Sequence, residues 1–441
     1  MPLSPLLLAF LAAPTFSRDV APILHKACAG CHRADGVAPF PLLAYQDAAK
    51  RARLIATVTT KRYMPPWLPT APRFLHEMKL TDAEIAVLSR WADGGAPEGG
   101  SPKASAPEGG ASQGKPAAAP PSPELLETPG GTWQLGPPDI EAEMRVPSAV
   151  PAEGLDIYQC FVIPAPSPKD HWVRAIDIRP GNARIVHHVI LFQDTTRTAR
   201  QRDQGAGYPC FGTPGFLPAR GLGGWTPGAQ PARMPDDIPS LLHANADLVL
   251  QIHYHPTGKP ETDRTRVALY FTDEGPKRRL MDIPLGSNRI DIPAGERSYK
   301  VTDHFTLPVD VEAIGIIPHA HYVCKSMYGY AVLPGGVRRT LIQIPDWDFN
   351  WQQQYRYAVP IRLPADTNIE MEFIYDNSAQ NPRNPNQPPK RVTWGPATTD
   401  EMAGLHIEVV PVHAADAEEL GQALWGKMIR SAGVGVPPRK R

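Results

Sequence analysis

The sequence lacks any run of about 18 consecutive apolar residues, the length that a membrane-spanning helix needs. It also lacks a charge excess, because 45 Lys and Arg balance 45 Asp and Glu. Nothing in this balance indicates a nucleic-acid partner or an anionic membrane surface. A mostly helical chain is disfavoured as well, since 52 Pro and 36 Gly indicate many turns and loops. The length of 441 residues predicts roughly two to four domains.

Cysteine is scarce, with five in the chain, and two of these lie in Cys28-Ala29-Gly30-Cys31-His32. Two thiols three positions apart with a histidine directly after form the attachment signature of a c-type haem. The thiols bond to the haem vinyl groups and the imidazole becomes an axial iron ligand. A redox cysteine pair would leave His32 unexplained, and a zinc site would need a second CxxC, which the sequence lacks. The motif therefore predicts covalent haem c.

A second axial ligand to this haem is expected further along the chain. Met64 is followed by the rigid segment Pro65-Pro66-Trp67, which suits a loop that holds a sulfur against iron. Met78 and His76 are the competing candidates.

The chain begins with features of an export signal. Leu6–Ala13 is a short apolar run followed by Pro14 and a polar stretch, although no basic residue precedes it. A covalently attached haem belongs outside the bacterial cytoplasm, which favours a periplasmic or secreted protein over an apolar, frayed N-terminus. The cysteines outside the haem motif allow one disulfide and one free thiol. They are Cys160, Cys210 and Cys324.

The composition of the chain changes twice. Residues from about 16 to 98 read as helical, and Thr81-Asp82-Ala83-Glu84 is a capping box that predicts a helix start. From about Gly99 to Pro123 the chain is dominated by Pro, Ala, Gly and Ser, which predicts a solvated linker. The remainder reads as short strands separated by turns, the pattern of antiparallel sandwiches. Because about 300 residues is generous for one sandwich, we expect two, with a junction near Thr272–Ser287. The predicted strands include Gln159–Ile163, His171–Ile178, Arg184–Phe192, Asp247–Tyr254, Arg266–Phe271, Val311–Ile317, Tyr328–Val332, Thr340–Ile344, Asn368–Tyr375 and Gly404–Val410.

Three groups of histidines lie on or directly after predicted strands. Residues two apart on a strand point the same way, so His319 and His321 can converge on one ion. Adjacent His187 and His188 can share an ion only with strong twist, with a bulge, or if one uses its other ring nitrogen. Six histidines in three groups, in a chain with a redox motif, indicate a metal site. Imidazole alone does not choose among Zn, Cu, Ni and Fe. The groups are His187-His188, His253-Tyr254-His255 and His319-Ala320-His321.

The order of these motifs supplies a resemblance. HHV, then QIHYHPTG, then PHAH, then TTDEM resembles the copper type II, ascorbate-dependent monooxygenases, the family of dopamine β-monooxygenase and peptidylglycine α-hydroxylating monooxygenase. The resemblance covers about residues 131–411. It implies two jelly-roll domains that each hold one copper, the first for electron transfer and the second for binding and activating O2. The implied ligands are His187, His188 and His253 for the first copper, and His319, His321 and Met402 for the second.

Met402 rests on the resemblance alone, with a core methionine as the alternative. A thioether beside two imidazoles favours Cu(I), the state that meets O2. Cys160 and Cys210 resemble a disulfide pair of the family's first domain. His255 lies outside the ligand set and either supports it or is simply exposed. Cys324 is either a buried thiol, which we favour, or a modifier of the second site.

The chain departs from the peptide-amidating members of that family. Ile317 stands where they have an arginine that holds the substrate carboxylate, and Ala403, Gly404, Leu405 and His406 differ from their substrate-contacting Asn and Tyr. Peptide amidation is therefore not expected, and the substrate remains an open choice between a small molecule and a peptide.

The predicted architecture is multidomain, with a small all-α cytochrome c domain followed by two antiparallel β-sandwich domains of the jelly-roll type. The predicted activity is hydroxylation of a C–H bond by O2, with electrons passing from an external donor through the haem. The alternatives are a non-catalytic electron-transfer or copper-binding protein, and a hydrolase with zinc at His319 and His321. The predicted boundaries are a signal peptide at 1–15, a cytochrome c-like domain at 16–98, a Pro/Ala/Gly linker at 99–125, sandwiches at 126–275 and 276–430, and a basic tail at 431–441.

Overall fold

The structure is a computed structural model that describes residues 13–33, 36–100, 133–216, 221–235 and 237–431. The predicted signal peptide, linker and basic tail lie outside these residues, apart from 13–15, 99–100, and 431. The chain divides into two compact units, Met1–Trp67 with Met78–Gly131, and Leu68–Glu77 with Thr132–Arg441. Among the described helices, none is long and apolar enough to cross a membrane.

The first unit contains helices and, within its described residues, no strand. The predicted capping box is confirmed, because the Thr81 hydroxyl accepts from the Glu84 N–H and the Glu84 carboxylate accepts from the Thr81 N–H. This closes the exposed end of the last helix. Leu24, Leu88 and Trp91 are fully buried at the centre of an apolar core. The elements are a π-helical turn at Phe16–Val20, α1 (Ala21–Ala27), α2 (Tyr45–Ala49), α3 (Ala52–Thr60) and α4 (Asp82–Asp93).

The second unit is built from antiparallel sheets, as the strand pattern predicts, and every strand predicted from the sequence is present. The elements of its first half are β1 (Ile140–Glu143), β2 (Ser148–Val150), β3 (Ile157–Ile163), β4 (His171–Arg179), β5 (Val186–Asp194), α5 (Thr198–Arg202), β6 (Tyr208–Pro209), β7 (Gly221–Trp225), β8 (Ala232–Arg233), β9 (Ser240–Leu242), β10 (Asp247–Tyr254), β11 (Glu261–Asp263) and β12 (Arg266–Thr272). They form two main sheets, ordered β1-β12-β4-β8 with β9 also beside β4, and β6-β3-β10-β5-β7.

These two sheets share one apolar core, which is the arrangement of a β-sandwich. Ile176 and Leu269 contribute from one sheet, and Leu191 and Leu250 from the other. Strand β10 is buried along its whole length, which explains why most of its residues are apolar. It therefore fixes the position of the residues at its end, including His253, within a rigid sheet.

The second half repeats this plan with sheets ordered β13-β22-β16-β19 and β15-β20-β17-β18. The sheets approach closely at Gly329, where a Cβ would lie only 2.9 Å from Leu405 across the core, so a larger residue would force them apart. The elements are β13 (Met281–Gly286), β14 (Asp291–Ile292), β15 (Tyr299–Thr306), β16 (Val311–His319), β17 (Cys324–Val332), β18 (Arg338–Ile344), β19 (Tyr355–Leu363), β20 (Asn368–Tyr375), β21 (Val392–Thr393), β22 (Gly404–Pro411), 3-10 turns at Phe349–Trp351 and Ala414–Asp416, and α6 (Ala417–Ser431).

The segment Leu68–Glu77 belongs with these strands, although it lies inside the range 16–98 assigned to the haem domain. Its backbone bonds Gln343 on β18 and Arg356 on β19, which are the edge strands of the two facing sheets. The Phe74 ring lies against Tyr355 and Tyr357, at centroid distances of 5.2 and 5.3 Å. The segment thus covers two edges that would otherwise expose unpaired backbone groups.

Candidate metal centres

A β-bulge places His187 and His188 beside His253. On the paired strands β5 and β10, His253 lies opposite His188, while Tyr254 lies opposite Val186. His187 is therefore an extra residue in its strand, which is how two adjacent side chains can approach one point. A bulge is one of the distortions by which these two adjacent histidines could share an ion.

The ring nitrogens of the three residues converge. One nitrogen from each of His187, His188 and His253 lies within 4.8 Å of the other two. The Nδ1 atoms of His187 and His188 are 3.4 Å apart, close to the roughly 3.3 Å between two nitrogens that bind one ion tetrahedrally at about 2.0 Å. The spacing thus fits a three-imidazole metal site.

The electrostatics of these histidines favour metal over protons. Burial lowers the pKa of His187 to about 3 and holds the pKa of His188 well below its ordinary value. Both rings are therefore neutral near pH 7, with a lone pair available for a cation. The buried Nδ1 of His253 has no hydrogen-bond partner, and such orphaned groups require an explanation. A cation at the point where the rings meet would satisfy it.

Asp156 lies behind this site, and no sequence pattern indicates its role. Its carboxylate lies 3.1 Å from Nε2 of His253 and 2.7 Å from Nδ1 of His255. Burial alone would raise the pKa of Asp156, but the contacts with the two histidines outweigh it and hold the pKa below its ordinary value. A carboxylate behind a ligating histidine orients the ring and raises its basicity. His255 thus contacts Asp156, with a side chain that is 60% exposed.

The second histidine pair ends β16, where the rings of His319 and His321 stand 5.3 Å apart between centroids. Nδ1 of His319 lies 2.6 Å from the amide oxygen of Gln352, and Nδ1 of His321 lies 3.2 Å from the carbonyl oxygen of Asp400. Because these oxygens only accept, each Nδ1 carries the proton. Each Nε2 then keeps its lone pair, the form in which imidazole binds a metal. Burial lowers the pKa of His319 to about 4 and that of His321 to about 3.

Glu401 ties the Met402 segment to this pair. The fully buried carboxyl accepts from the backbone N–H groups of His321, Met402 and Val323. Tyr375 adds a bond from its hydroxyl to the Met402 carbonyl at 2.8 Å. Burial raises the pKa of Glu401 to about 8, although the bonds from the backbone oppose the rise. The backbones of His321 and Met402 thus share one acceptor, so a residue 81 positions away in sequence is held beside the histidine pair.

The haem motif follows α1 directly in the first unit. Cys28 ends the helix, and the His32 N–H returns to the Cys28 carbonyl at 2.8 Å. Nδ1 of His32 lies 2.9 Å from the Phe40 carbonyl, so the proton sits there and Nε2 is left for iron. Cys28 and Cys31 are free thiols, and burial raises the pKa of Cys28 to about 12. The residues present therefore fit covalent haem.

The remaining predicted residues are placed as follows. Met64 is half-buried just after α3, and its N–H donates to the Val58 carbonyl at 3.2 Å. Its role as an axial ligand stays a prediction, as does the competition from Met78 and His76. A disulfide joins Cys160 to Cys210, which confirms that pairing.

Cys324 is a buried thiol, as expected. Its sulfur lies 3.8 Å from the carbonyl oxygens of Ser326 and Ile374, and burial holds its pKa well above the ordinary value. A buried thiol with a raised pKa stays protonated and unreactive. Cys324 therefore behaves as a small core residue.

Comparison with known proteins adds little. No family model matches the chain, and no curated protein matches it. Among solved structures it is similar to the major capsid protein P2 of bacteriophage PM2, at 9% identity and a TM-score of 0.24, over 62% of this chain and 98% of that one. It is also similar to the VP2 subviral particle of infectious bursal disease virus, at 9% identity and a TM-score of 0.20, over 61% of this chain and 60% of that one. Likenesses this weak identify neither a relative nor a function.

Proposed function

We propose that this chain is a copper-dependent monooxygenase that hydroxylates a C–H bond with O2, with electrons supplied through a c-type haem. The observation that carries the proposal is the convergence of His187, His188 and His253, whose nitrogens lie within 4.8 Å of one another. A three-imidazole site beside a separate histidine pair, in a chain with a haem-attachment motif, combines ligands for three redox ions.

The second site favours copper over zinc as the bound metal. Two neutral imidazoles with a methionine segment beside them offer a mixture of nitrogen and soft sulfur, which suits Cu(I). Glu401 holds the backbone of Met402 next to that of His321, which supports a role for the nearby thioether. Zinc would be served equally well by imidazoles, but a thioether adds little for it.

Copper bound at these sites would supply one-electron redox chemistry and the activation of O2. The chain's own task is to hold neutral ligands in fixed directions and to keep water away. His253 and His321 are 1% and 2% exposed, so both rings are held in place and shielded from water. Gln352 and the Asp400 carbonyl keep the protons of His319 and His321 on Nδ1, so neither ring turns its protonated nitrogen toward the ion.

Hydroxylation needs two electrons beyond those in the C–H bond, and a haem held by Cys28, Cys31 and His32 would supply one-electron transfer. His32, with its proton held by the Phe40 carbonyl, would bind the iron through Nε2. The disulfide between Cys160 and Cys210 is of the kind that persists in oxidising compartments. It supports a periplasmic or secreted location, where haem of this type is attached.

The test is metal content together with oxygen consumption. Protein from a host supplied with copper and haem should contain one haem that survives acid-acetone extraction, and two coppers per iron. It should consume O2 with a one-electron reductant only when a suitable small-molecule or peptide substrate is added. Zinc in place of copper would favour the hydrolase alternative. Two coppers and a haem without substrate-dependent O2 consumption, across a broad substrate panel, would favour an electron carrier.

A further inference from the structure

One turn of the chain contacts both histidine sites. It is the segment Trp347–Gln352, which joins β18 to β19, and we call it the bridging turn. Its Phe349 ring stacks on His187 of the first site, with centroids 4.7 Å apart and planes tilted by 15°. The same ring meets His321 of the second site edge-on, at 5.6 Å and 85°. The two histidine rings are therefore no farther apart than the sum of those two distances.

The bridging turn is fastened to the second site on both sides of this ring. The indole N–H of Trp347 donates to the His321 carbonyl at 3.2 Å. The amide oxygen of Gln352 accepts from His319 at 2.6 Å. Asp348 closes the turn itself by accepting from the Asn350 N–H at 3.0 Å. These bonds fix the backbone that carries Phe349. The ring is 4% exposed, so water has little access to its contacts with the two histidines.

We propose that Phe349 electronically couples the two sites, through the contacts from His187 to Phe349 to His321. This inference rests on the proposed function. In the step, Cu(I) at the first site loses one electron and becomes Cu(II), and Cu(II) at the second site gains it and becomes Cu(I). No bond or proton moves, and an external one-electron donor restores the first site. Because electron transfer slows steeply with each ångström of open gap, rings in contact would carry it faster than a void or water.

The geometry also argues against packing as the sole role of this ring. A phenylalanine that only fills space in a core can pack against any apolar neighbours. The residues that flank Phe349 in the bridging turn instead bond a carbonyl and an imidazole of the second site. Those bonds direct the ring toward His187, which lies in the other half of the unit. Tyr322 packs directly on the Phe349 ring, at a centroid distance of 4.6 Å, and limits its rotation.

The experiment compares Phe349→Leu, which removes the ring but keeps apolar bulk, with the ring-retaining Phe349→Tyr. Phe305→Leu on β15 is the matched control, since that ring is similarly buried at 6% exposure. Copper-loaded, fully oxidised protein is mixed anaerobically with less than one equivalent of a one-electron reductant. Rapid-freeze electron paramagnetic resonance then follows the Cu(II) signals of the two sites. The signals are assigned with His188→Ala and His321→Ala, and pulsed dipolar spectroscopy gives the distance between the coppers in each protein.

We expect Phe349→Leu to slow equilibration between the sites by about tenfold or more, in the range seen when groups behind metal ligands are removed. Phe349→Tyr and Phe305→Leu should equilibrate at the wild-type rate, and the copper–copper distance should be unchanged in all three. Wild-type equilibration in Phe349→Leu with two coppers bound would overturn this inference alone. A slowed rate that follows a lengthened copper–copper distance would assign the ring to packing and overturn it too. Failure of the wild type to bind two coppers would instead overturn the proposed function.

Discussion

The two histidine sites differ in how the chain fixes their ring nitrogens. In the first, the Nδ1 atoms of His187 and His188 face each other at 3.4 Å, and Nδ1 of His253 has no partner. In the second, His319 and His321 each place Nδ1 against an oxygen that can only accept. Without a cation, the two facing Nδ1 atoms can share at most one proton in a 3.4 Å contact, and Nδ1 of His253 stays unpaired. The second is held by the protein itself.

Because of this difference, we expect the two sites to respond differently to loss of metal. Because buried ring nitrogens of the first site lack partners until an ion is bound, we expect its rings to relax without an ion. The second site keeps its hydrogen bonds whether or not an ion is present, which is the pre-organisation that a reacting site requires. The division of roles implied by the resemblance, with electron transfer at the first site and O2 at the second, agrees with this contrast.

The largest expected effect comes from removing one ligand of each site in turn. His321→Ala should abolish substrate hydroxylation and remove one copper, because only one protein nitrogen, from His319, would remain at that site. His188→Ala should also remove one copper but leave the copper at the second site. Copper-to-iron ratios and the haem absorbance measure the result. Loss of both coppers in either variant would show that the sites are not independent.

Glu401 provides the next largest effect, since it serves the second site only. Glu401→Ala leaves three buried backbone N–H groups without an acceptor, each costing about 1–3 kcal/mol. We expect a loss of several kcal/mol in the free energy of unfolding, measured with urea, and weaker copper binding at the second site. Glu401→Gln keeps one carbonyl oxygen and should fall between alanine and wild type. An equal weakening of both sites would indicate general destabilisation rather than a local role.

The sequence predicted these sites unevenly, for reasons that are physical. His319 ends β16 and His321 lies two residues further on, so the two-residue spacing of an extended chain already predicts that they lie close together. Adjacent His187 and His188 can share an ion only where the strand is distorted, and the bulge where β5 pairs with β10 supplies that distortion. Met402 needed a resemblance, because no local pattern links it to His321.

Supporting residues were not predictable at all. Asp156, Glu401, Gln352 and Phe349 lie far in sequence from the histidines they contact. Each is a common residue type in an ordinary turn or at a strand end, and its contact depends on how whole sheets face each other. The segment Leu68–Glu77 is a similar case, since pairing with an edge strand leaves no local signature.

Acid should destabilise the metal-free protein through both sites. Burial lowers the pKa of His187 and His321 to about 3 and that of His319 to about 4, from an ordinary value of 6.5. Below pH 6.5 the unfolded chain binds protons that the folded chain cannot. The free energy of unfolding therefore falls as the pH is lowered, until the pKa values of the folded state are reached. Glu401 acts in the opposite sense, because its pKa is raised from 4.5 to about 8. The histidines outnumber it.

We therefore expect the melting temperature of metal-free protein to drop between pH 6.5 and 4. His319→Gln together with His321→Gln should flatten part of this slope, and Glu401→Gln should steepen it. Calorimetry across this pH range checks all three. A flat profile in the unchanged protein would mean that the histidines are protonated in the folded state.

Asp156 should produce a smaller and strictly local effect. Asp156→Asn keeps the size of the side chain but removes the charge behind His253, so we expect the first site to lose about 10–100-fold in copper affinity. The second site should bind as before. Competition with a copper chelator measures both affinities, with Glu401→Gln as the matched variant that should show the reverse pattern. If Asp156→Asn weakened the second site instead, the carboxylate would be supporting a different part of the unit.

The smallest effect is expected at His255, and it tests whether this residue is a metal ligand or only contacts Asp156. His255 touches Asp156 at 2.7 Å, yet its side chain is 60% exposed, so its contact is largely screened by water. The bond to Asp156 raises the pKa of His255, which indicates that this ring binds the carboxylate rather than a metal ion. His255→Ala leaves Asp156 its contact with His253, so copper affinity at the first site should change by less than the roughly tenfold expected for the carboxylate itself. His253→Ala, two residues away on the same chain segment, is the matched control and should remove the copper completely. If His255→Ala removed the copper as well, His255 would be a ligand, and the first site would need four imidazoles where the converging nitrogens indicate three.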